Sequence, residues 1–423
     1  MQLLIRKATI VSPGSKHHNK ERDILIKNGS IQEIKARITP KGKVEVFEAK
    51  GAFVSPGWMD VGAMSGDPGF EYREDLNSLK AAASVGGFTR LAVLPNTDPV
   101  IDSKSEVSYL MTQNGKSLVD IHPIGAASVH CEGKDIAEYY DMHSEGAIGF
   151  SDGEKPVQHS GLMMRALLYA KSFGGVVLNS PHDASIAPGG QMHEGKVSTS
   201  MGLTGLPDLA EHLMLERDLE LLRHTESRLH VLNISSKGSL RRIRQAKKSG
   251  LDVSASVPAL NLLLIDKAVE GFDVMTKVTP PLREEGDRKA LLKGLKDGTL
   301  DLVSSNHRPL EVEAKNVEFP RAEFGSIGLE SCYPVVQTAF EGGLDPEDVF
   351  EIFCQRPRNI FGLSVPEIAQ GEPAELTIFN CQEEWTLGAG HLLSKSQNTP
   401  LIGHSFLGKV LGTIHNGEHF FYQ

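Results

Sequence analysis

The sequence predicts an α/β protein built around a (β/α)8 barrel of the TIM type, with a small β-sandwich domain formed by both termini. Three observations favour this fold. Short apolar runs that end in polar residues recur through the middle of the chain, and helical stretches lie between most of them. The first and last segments, about 50 residues each, have instead the alternation and turns of β-strands.

The two ends of the chain are predicted to meet in one β-domain. The dipeptides Asn28-Gly29 and Asn416-Gly417 are hairpin signals between strand-like runs. We therefore predict a β-sandwich domain from residues 1–53 and 367–423, and a barrel from residues 54–366. The predicted strands of the β-domain are residues 2–11, 23–27, 30–36, 374–380, 408–415 and 419–422.

The middle of the chain contains eight apolar runs, the number that a (β/α)8 barrel requires. The rival fold, a doubly wound open sheet, lacks a GxGxxG motif after its first strand. In a barrel, the active site lies at the carboxyl ends of the strands, so the polar residues that end each run are the candidates for function. The runs are residues 53–60, 88–95, 119–127, 147–152, 176–180, 229–235, 251–257 and 300–306.

Helices are predicted between and after these runs from apolar spacing and from terminal glycines. Residues 183–206 form a long glycine-rich segment with little periodicity. Such a segment is typical of a lid or a partner-binding loop, and a plain surface connection is equally consistent with it. The predicted helices are residues 75–84, 160–172, 207–225, 239–249, 327–340 and 345–353.

Composition excludes several classes of protein. The chain has 44 basic and 54 acidic residues, a net charge of −10 and 40% hydrophobic residues, which argues against disorder and against nucleic-acid binding. No signal peptide and no membrane span are expected, so the predicted location is cytoplasmic. The 16 histidines suggest a metal enzyme, provided that they stand where a metal could bind.

Several motifs, in a fixed order along nearly the whole chain, resemble the class I dihydroorotase family of the amidohydrolase superfamily. The resemblance implies a pyrimidine-pathway hydrolase that uses zinc, and dihydropyrimidinases and allantoinases share the fold and some motifs. The matching segments are residues 56–69, 86–89, 95–97, 193–199, 202–207, 279–283, 295–299 and 324–330.

The sequence departs from this family at the positions that the resemblance assigns to the metal. The two histidines that end the first strand are replaced by Gly62 and Met64, and the substrate arginine just after them is replaced by Gly66. The acid of strand four is kept as Asp152. The remaining three positions, at strands five, six and eight, hold Ser180, Asn233 and Asn306.

These departures predict that the zinc site is lost. A catalytic zinc needs about three ligands from Cys, His, Asp or Glu, and glycine, methionine, serine and asparagine do not replace them. Asn306 stands at the general-base position, where an amide cannot accept a proton near neutral pH. We therefore expect no zinc cofactor and no catalytic residue.

Two residual possibilities follow from the same positions. Asn96 is the clearest remaining substrate-contact position, although a role in anchoring its own turn is equally consistent with the sequence. A displaced metal site would have to come from Asp152, His182, His193 and His307. For Asp152 we favour a structural role, either capping or pairing with Arg308.

The sequence therefore favours a catalytically inactive dihydroorotase-like protein. Some degenerate members of the family act as structural subunits of aspartate carbamoyltransferase, and the resemblance implies that partner together with a homodimer. One alternative is an active cyclic-amide hydrolase of the dihydroorotase, dihydropyrimidinase or allantoinase type with an altered metal site. Another is a pyrimidine-binding sensor without turnover.

Overall fold

A computed structural model describes residues 2–40 and 42–422. Met1 and Gln423, the outermost residues of the predicted β-domain, therefore lie outside the described part. In chain order the strands are β1 (Gln2–Ile10), β2 (Glu21–Lys27), β3 (Ser30–Lys35), β4 (Glu45–Glu48), β5 (Phe53–Pro56), β6 (Trp58–Ala63), β7 (Phe88–Val93), β8 (Asp120–Gly125), β9 (Gly149–Phe150), β10 (Val177–Asn179), β11 (Met192–His193), β12 (Gly205–Leu206), β13 (Leu229–Val231), β14 (Val253–Pro258), β15 (Leu302–Ser304), β16 (Leu376–Thr386), β17 (Ser405–His415) and β18 (Glu418–Phe421).

Helices surround the middle strands. In chain order they are α1 (Leu76–Val85), α2 (Lys104–Met111), α3 (Tyr139–Glu145), α4 (Ser160–Lys171), α5 (Lys196–Met201), α6 (Asp208–Thr225), α7 (Lys237–Lys248), α8 (Ala259–Leu263), α9 (Glu285–Lys296), α10 (Val312–Lys315), α11 (Cys332–Ala339), α12 (Pro346–Phe350) and α13 (Arg356–Ile360). A π-helical segment, Glu351–Gln355, joins the last two.

Eight parallel strands form the barrel in the order β6, β7, β8, β9, β10, β13, β14 and β15, which confirms the predicted fold class. At the seam between the first and last of them, Met64 N donates to His307 O at 3.0 Å, and Ser305 N donates to the carboxylate of Asp60 at 2.7 Å. Polar groups on the first and eighth strands thus join the two ends of the sheet.

The first predicted run, residues 53–60, belongs to two strands rather than one. β5 joins the terminal sheet and β6 begins the barrel, with Gly57 between them. A Cβ atom at Gly57 would lie 2.2 Å from Thr89 Oγ1, and Gly57 N donates to Glu375 O at 3.0 Å. The chain therefore passes from one sheet to the other at a point where only a glycine fits.

The helices around the barrel follow the apolar spacing of the sequence. In α1, the Asp75 carboxylate accepts hydrogen bonds from Asn77 N and Ser78 N, which caps the helix start, and Gly86 ends it. The predicted helix at 75–84 is confirmed. By contrast, α9 lay in a stretch for which no helix was predicted, although Leu291 and Leu295 are buried one turn apart.

The terminal sheet has the strand order β18-β17-β16-β5-β1-β2-β3, with β4 paired to β1. The amino- and carboxyl-terminal segments meet where β5 pairs antiparallel with β16, with Val54 opposite Ile378. This sheet has its own core of buried aliphatic residues, including Leu3, Ile24 and Ile414. A separate sheet domain from both termini is therefore confirmed, whereas its boundaries at 53/54 and 366/367 remain predictions.

Charged groups join the terminal sheet to the amino ends of the barrel strands. The Arg90 guanidinium donates twice to the Glu375 carboxylate, from Nε and Nη2, at 2.9 Å each. Arg358 Nη2 donates to the same carboxylate at 2.6 Å. We call this end of the barrel, opposite the mouth, its base. Arg90, Glu375 and Arg358, with His122 and His415 beside them, form a charged network there.

Candidate functional site

The candidate site is the mouth of the barrel, the end at which the carboxyl ends of the eight strands meet. At the end of the first strand, Gly62 has a φ of +96°, which favours glycine, and its added Cβ would meet only Leu232, at 3.6 Å. Met64 follows, partly buried, and lines the larger of two cavities at the mouth. The first strand therefore presents one neutral thioether and no imidazole.

Asp152, at the end of strand four, is a structural anchor. Its carboxylate accepts hydrogen bonds from Ser128 N at 2.7 Å and from Ser128 Oγ at 2.6 Å, and the residue is buried. Burial raises the pKa of Asp152, and the two bonds from Ser128 oppose that rise. Asp152 is not among the residues that line either mouth cavity. Arg308, which we considered as its partner, instead pairs with Glu154.

The amides at strands six and eight bond to each other. Asn233 Nδ2 donates to Asn306 Oδ1 at 3.0 Å, and Asn306 Nδ2 donates to Thr279 O at 3.0 Å. Asn233 Oδ1 accepts from Ser304 Oγ at 2.6 Å. Ser180, at strand five, lines the smaller cavity. The two asparagines are thus joined in a neutral hydrogen-bonded pair inside the mouth.

Asn96 clamps the loop that follows strand four. Its Nδ2 donates to Asp152 O at 3.0 Å, and its Oδ1 accepts from Glu154 N at 3.1 Å. Asn96 also lines the larger cavity. Both of its polar atoms are therefore engaged in backbone contacts, which favours the anchoring role over a free substrate contact.

The three histidines considered for a displaced metal site are in different environments. His307 is fully buried; its Nε2 lies 3.3 Å from Glu74 Oε2, and its Nδ1 accepts from Gly328 N at 3.2 Å. His193 Nδ1 accepts from Arg283 Nη1 at 3.0 Å. His182 is half-buried in the smaller cavity, and burial followed by the nearby Arg283 lowers its pKa.

Within residues 2–40 and 42–422, no three His, Cys, Asp or Glu side chains are grouped so that they could hold a metal ion. Of the six positions assigned to the metal by resemblance, only Asp152 is anionic, and its carboxylate is bonded to Ser128. Zinc requires several charged or imidazole donors. The Arg308 guanidinium, whose Nε donates to Asn306 Oδ1 at 3.3 Å, adds a positive charge at the same place. These residues do not fit zinc.

Two cavities lie at the mouth, of about 510 Å³ and about 360 Å³. Both are lined by Glu154, Thr279, Arg308 and Phe324. Arg308 Nη1 donates to Glu154 Oε1, so this ion pair stands between them. Sequence patterns alone do not single out Glu154, because it follows strand four while Arg308 follows strand eight.

The smaller cavity has a further ion pair in its wall, and this one is buried. The Glu211 carboxylate accepts hydrogen bonds from Ser235 N and Ser236 N at 3.1 Å each, and Arg283 Nη2 lies 3.6 Å from it. Burial alone would raise the pKa of Glu211, but Arg283 and the serine bonds hold it below its ordinary value. This carboxylate is fully occupied by its neighbours.

Residues 183–206 form part of the wall of the smaller cavity. The segment contains β11, α5 and β12, and Met192 and Val197 pack with Val269 and Phe319 in a small core of their own. Residues of its first half and Leu206 line the cavity. The segment is therefore more than a plain connection, because it shapes one side of the mouth.

A family model described as dihydro-orotase-like matches residues 51–239. The chain is also similar to curated proteins named dihydroorotase. It is 39% identical to the one from Pelotomaculum thermopropionicum over 99% of this chain and 98% of that protein. It is 37% identical to the one from Acetivibrio thermocellus, with 98% of each chain covered.

Solved structures of hydantoinases share the fold. The L-hydantoinase (dihydropyrimidinase) from Arthrobacter aurescens superposes with a TM-score of 0.85 at 24% identity, covering 99% of this chain and 95% of that one. A D-hydantoinase (dihydropyrimidinase) from a Thermus species gives a TM-score of 0.81 at 21% identity, covering 99% of this chain and 96% of that one.

None of the helices in the described residues is both long enough and apolar enough to span a membrane.

Proposed function

The chain belongs to the dihydroorotase family, and from this membership we propose that it is a dihydroorotase-like protein that does not carry out zinc-dependent hydrolysis. The observation that carries this proposal is the pair formed by Asn233 and Asn306, with the Arg308 guanidinium bonded to the same Asn306 oxygen. An amide cannot act as a base near neutral pH, and a neutral pair beside a guanidinium does not attract a divalent cation.

The chemical consequence concerns the attacking water. In a zinc hydrolase the metal lowers the pKa of its bound water to about 7, which makes hydroxide available at neutral pH. Here Asp152, the one anionic residue among the six positions, is bonded to Ser128. The residues at the six positions can bind and orient a ligand, but they offer no base aimed at a substrate.

The second candidate is an active cyclic-amide hydrolase, and the comparisons favour it over the hypothesis that the protein is catalytically inactive. The curated relatives are named dihydroorotase, and the two solved structures described above are named hydantoinase or dihydropyrimidinase. This candidate would need a metal or base arrangement other than the one at the six positions. His182 is its best starting point, because that imidazole faces the smaller cavity.

A dihydroorotate hydrolysis assay separates the two candidates. The protein is assayed with added zinc and after chelation, beside the Pelotomaculum relative prepared in the same way as a positive control. We expect turnover from the relative and none above buffer from this chain under either condition. Zinc-dependent turnover by this chain that falls in His182→Gln and persists in the exposed control His224→Gln would establish the second candidate instead.

For the role of a non-hydrolysing protein, we propose a structural subunit of pyrimidine biosynthesis in the cytoplasm, as a homodimer that assembles with aspartate carbamoyltransferase. The support is the combination of a complete barrel and terminal sheet with a mouth that does not fit zinc. Co-purification with the carbamoyltransferase of the same organism, followed by light scattering, tests this role. Separate elution of the two proteins would contradict it.

A sensor of small pyrimidines is supported by one observation, the persistence of cavities of about 510 Å³ and about 360 Å³ at the mouth. Volumes of this size hold small ligands. Calorimetric titration with dihydroorotate, in the absence of turnover, tests it. Saturable binding would support the sensor, and the absence of a heat signal at millimolar ligand would argue against it.

A further inference from the structure

The ion pair between Glu154 and Arg308 crosses the mouth. Glu154 follows strand four and Arg308 follows strand eight, and these strands are opposite each other in an eight-stranded barrel of sequential order. The contact therefore passes over the barrel axis. The guanidinium is nine-tenths buried, whereas the Glu154 side chain is 39% exposed. The cation is thus the fixed member of the pair, and the carboxylate is its partly solvated partner.

The Arg308 guanidinium is held in place by two hydrogen bonds, and some of its N–H donors remain unused. Nε donates to Asn306 Oδ1 at 3.3 Å, and Nη1 donates to Glu154. Within the described part of the chain, no acceptor is hydrogen-bonded to Nη2. Arginine has five N–H donors in a planar fork that matches a carboxylate. Because Arg308 lines both cavities, its unused edge is available to a ligand in the mouth.

The charges of the larger cavity favour an anion. Its lining contains three cationic side chains, Arg73, Lys155 and Arg308, and two carboxylates, Glu154 and Glu323. Arg73 is engaged with Glu311 and with Glu323, at 3.4 Å for the latter. Lys155 is exposed, and its ammonium has no hydrogen-bond acceptor among the residues that the structure describes. An incoming carboxylate would therefore meet two cations once Glu154 has moved aside.

We propose that Arg308 is the centre of an anion-binding site for a small carboxylate, and that the Glu154 carboxylate is its built-in occupant. An external carboxylate competes with Glu154 for the guanidinium and, in displacing it, joins the two cavities. The backbone of Glu154 stays in place during this exchange, because Asn96 Oδ1 accepts from its N–H. This inference rests on the proposed function, in which no zinc occupies the mouth.

Competition between Glu154 and an external carboxylate for Arg308 predicts how two substitutions change the affinity for that carboxylate. Removing the charge of Glu154 should strengthen binding of an external carboxylate, and removing the charge of Arg308 should abolish it. A partly exposed ion pair is worth up to about 1 kcal/mol, which is about fivefold in a binding constant. Succinate is the probe, and succinamide, which has the same shape without the charge, is its control.

The experiment is a calorimetric titration of chelator-treated protein whose metal content has been measured. We expect succinate to bind, succinamide not to bind, Glu154→Gln to bind succinate about fivefold more tightly, and Arg308→Met not to bind it. Glu323→Gln removes a carboxylate from the same cavity, and Arg73→Met removes an arginine; both should leave the affinity within about twofold of the unmodified protein. Arg308→Lys, which keeps the charge but loses the fork, should bind weakly.

Several outcomes would overturn the site. They are equal binding of succinate and succinamide, no succinate binding even in Glu154→Gln, unchanged binding in folded Arg308→Met, or the same gain in Glu323→Gln as in Glu154→Gln. Circular dichroism establishes that each variant is folded. If Arg308→Met does not fold, Arg308→Lys replaces it as the test of the guanidinium, and unchanged succinate binding in that variant would overturn the site. Zinc-dependent hydrolysis would contradict the proposed function whatever succinate does, so the two failures are distinguishable.

Discussion

Glu375 at the base of the barrel and Glu154 at its mouth are both paired with arginine, but they differ in burial. At the base, Glu375 is buried and receives hydrogen bonds from both Arg90 and Arg358, so a carboxylate ties the terminal sheet to the barrel. At the mouth, the positions that the family resemblance assigns to metal ligands are largely neutral, and the ion pair that crosses it is partly exposed. The difference indicates that the Glu375 pairs contribute more to the stability of the fold than the Glu154 pair does.

The largest effect is expected at the base. Glu375→Gln leaves the buried Arg358 and the partly buried Arg90 with a neutral partner, and breaking a buried ion pair costs about 3–5 kcal/mol of unfolding free energy. Urea unfolding measures this loss. The matched change at the mouth, Glu154→Gln, should cost less than about 1 kcal/mol, because that carboxylate is partly exposed. Equal losses in the two variants would remove the contrast between the two ends.

The second effect is a pH dependence that also arises at the base. Burial, followed by the charge of Arg90, lowers the pKa of His122 to about 4, from 6.5 in an unfolded chain. The unfolded state therefore binds more protons below pH 6.5, so stability is lost as the pH falls from about 6.5 to about 4, by about 3 kcal/mol. His122→Gln should flatten the curve of unfolding free energy against pH in this range.

Glu375 acts at lower pH in the same curve. Burial alone would raise its pKa, but Arg90 and Arg358 lower it to about 2, against an ordinary value of 4.5. Its contribution is present above pH 4.5 and is lost as the pH falls from there towards about 2. A His122→Gln curve that stays as steep as that of the unmodified protein between pH 6.5 and 4 would contradict the assignment to His122.

A smaller effect is expected from the clamp at the mouth. Asn96→Ala removes two hydrogen bonds to the loop after strand four, one to Asp152 O and one from Glu154 N. We expect a loss of about 1–2 kcal/mol in unfolding free energy. Asn96→Asp keeps the acceptor for Glu154 N but places a carboxylate oxygen against Asp152 O, so it should lose at least as much. A variant with full stability and altered ligand binding would instead favour a direct substrate contact.

The smallest effect on stability is expected for Asn306→Asp, which restores a carboxylate at the general-base position. The new charge lies beside Arg308 Nε and the backbone already has a φ of +48°, which aspartate tolerates. These gains oppose the loss of the hydrogen bond from Asn306 Nδ2 to Thr279 O, so stability should change by no more than about 1 kcal/mol. Dihydroorotate turnover should remain absent, because one carboxylate does not supply the missing ligands. Turnover in this single variant would show that the mouth is closer to activity than we propose.

Local patterns were sufficient for most of the fold. All eight barrel strands lie within or overlap the predicted runs, because buried parallel strands are short apolar segments that end in polar residues. The division of residues 53–60 between two sheets was not predicted, since it depends on the contact of Gly57 with Thr89. The helix at 285–296 was missed because its sequence is strongly charged and its buried leucines occupy a narrow stripe.

The candidate site was predictable only in part. The sequence identified which side chains end the strands, including Gly62, Met64 and Asn306, because the family resemblance aligns them. It did not predict the pair of Glu154 and Arg308, which closure of the barrel brings together from opposite strands. It also could not tell that the two polar atoms of Asn96 face backbone groups, since that depends on the path of the loop after strand four.

The most direct test of the central claim is a zinc titration of the unmodified, chelator-treated chain, followed by competition with a chromophoric chelator. We predict no tight site, because the six positions supply one carboxylate that is already bonded to Ser128. Tight binding of one zinc ion per chain that is lost in Asp152→Asn or His182→Gln, but kept in the exposed control His224→Gln, would contradict it.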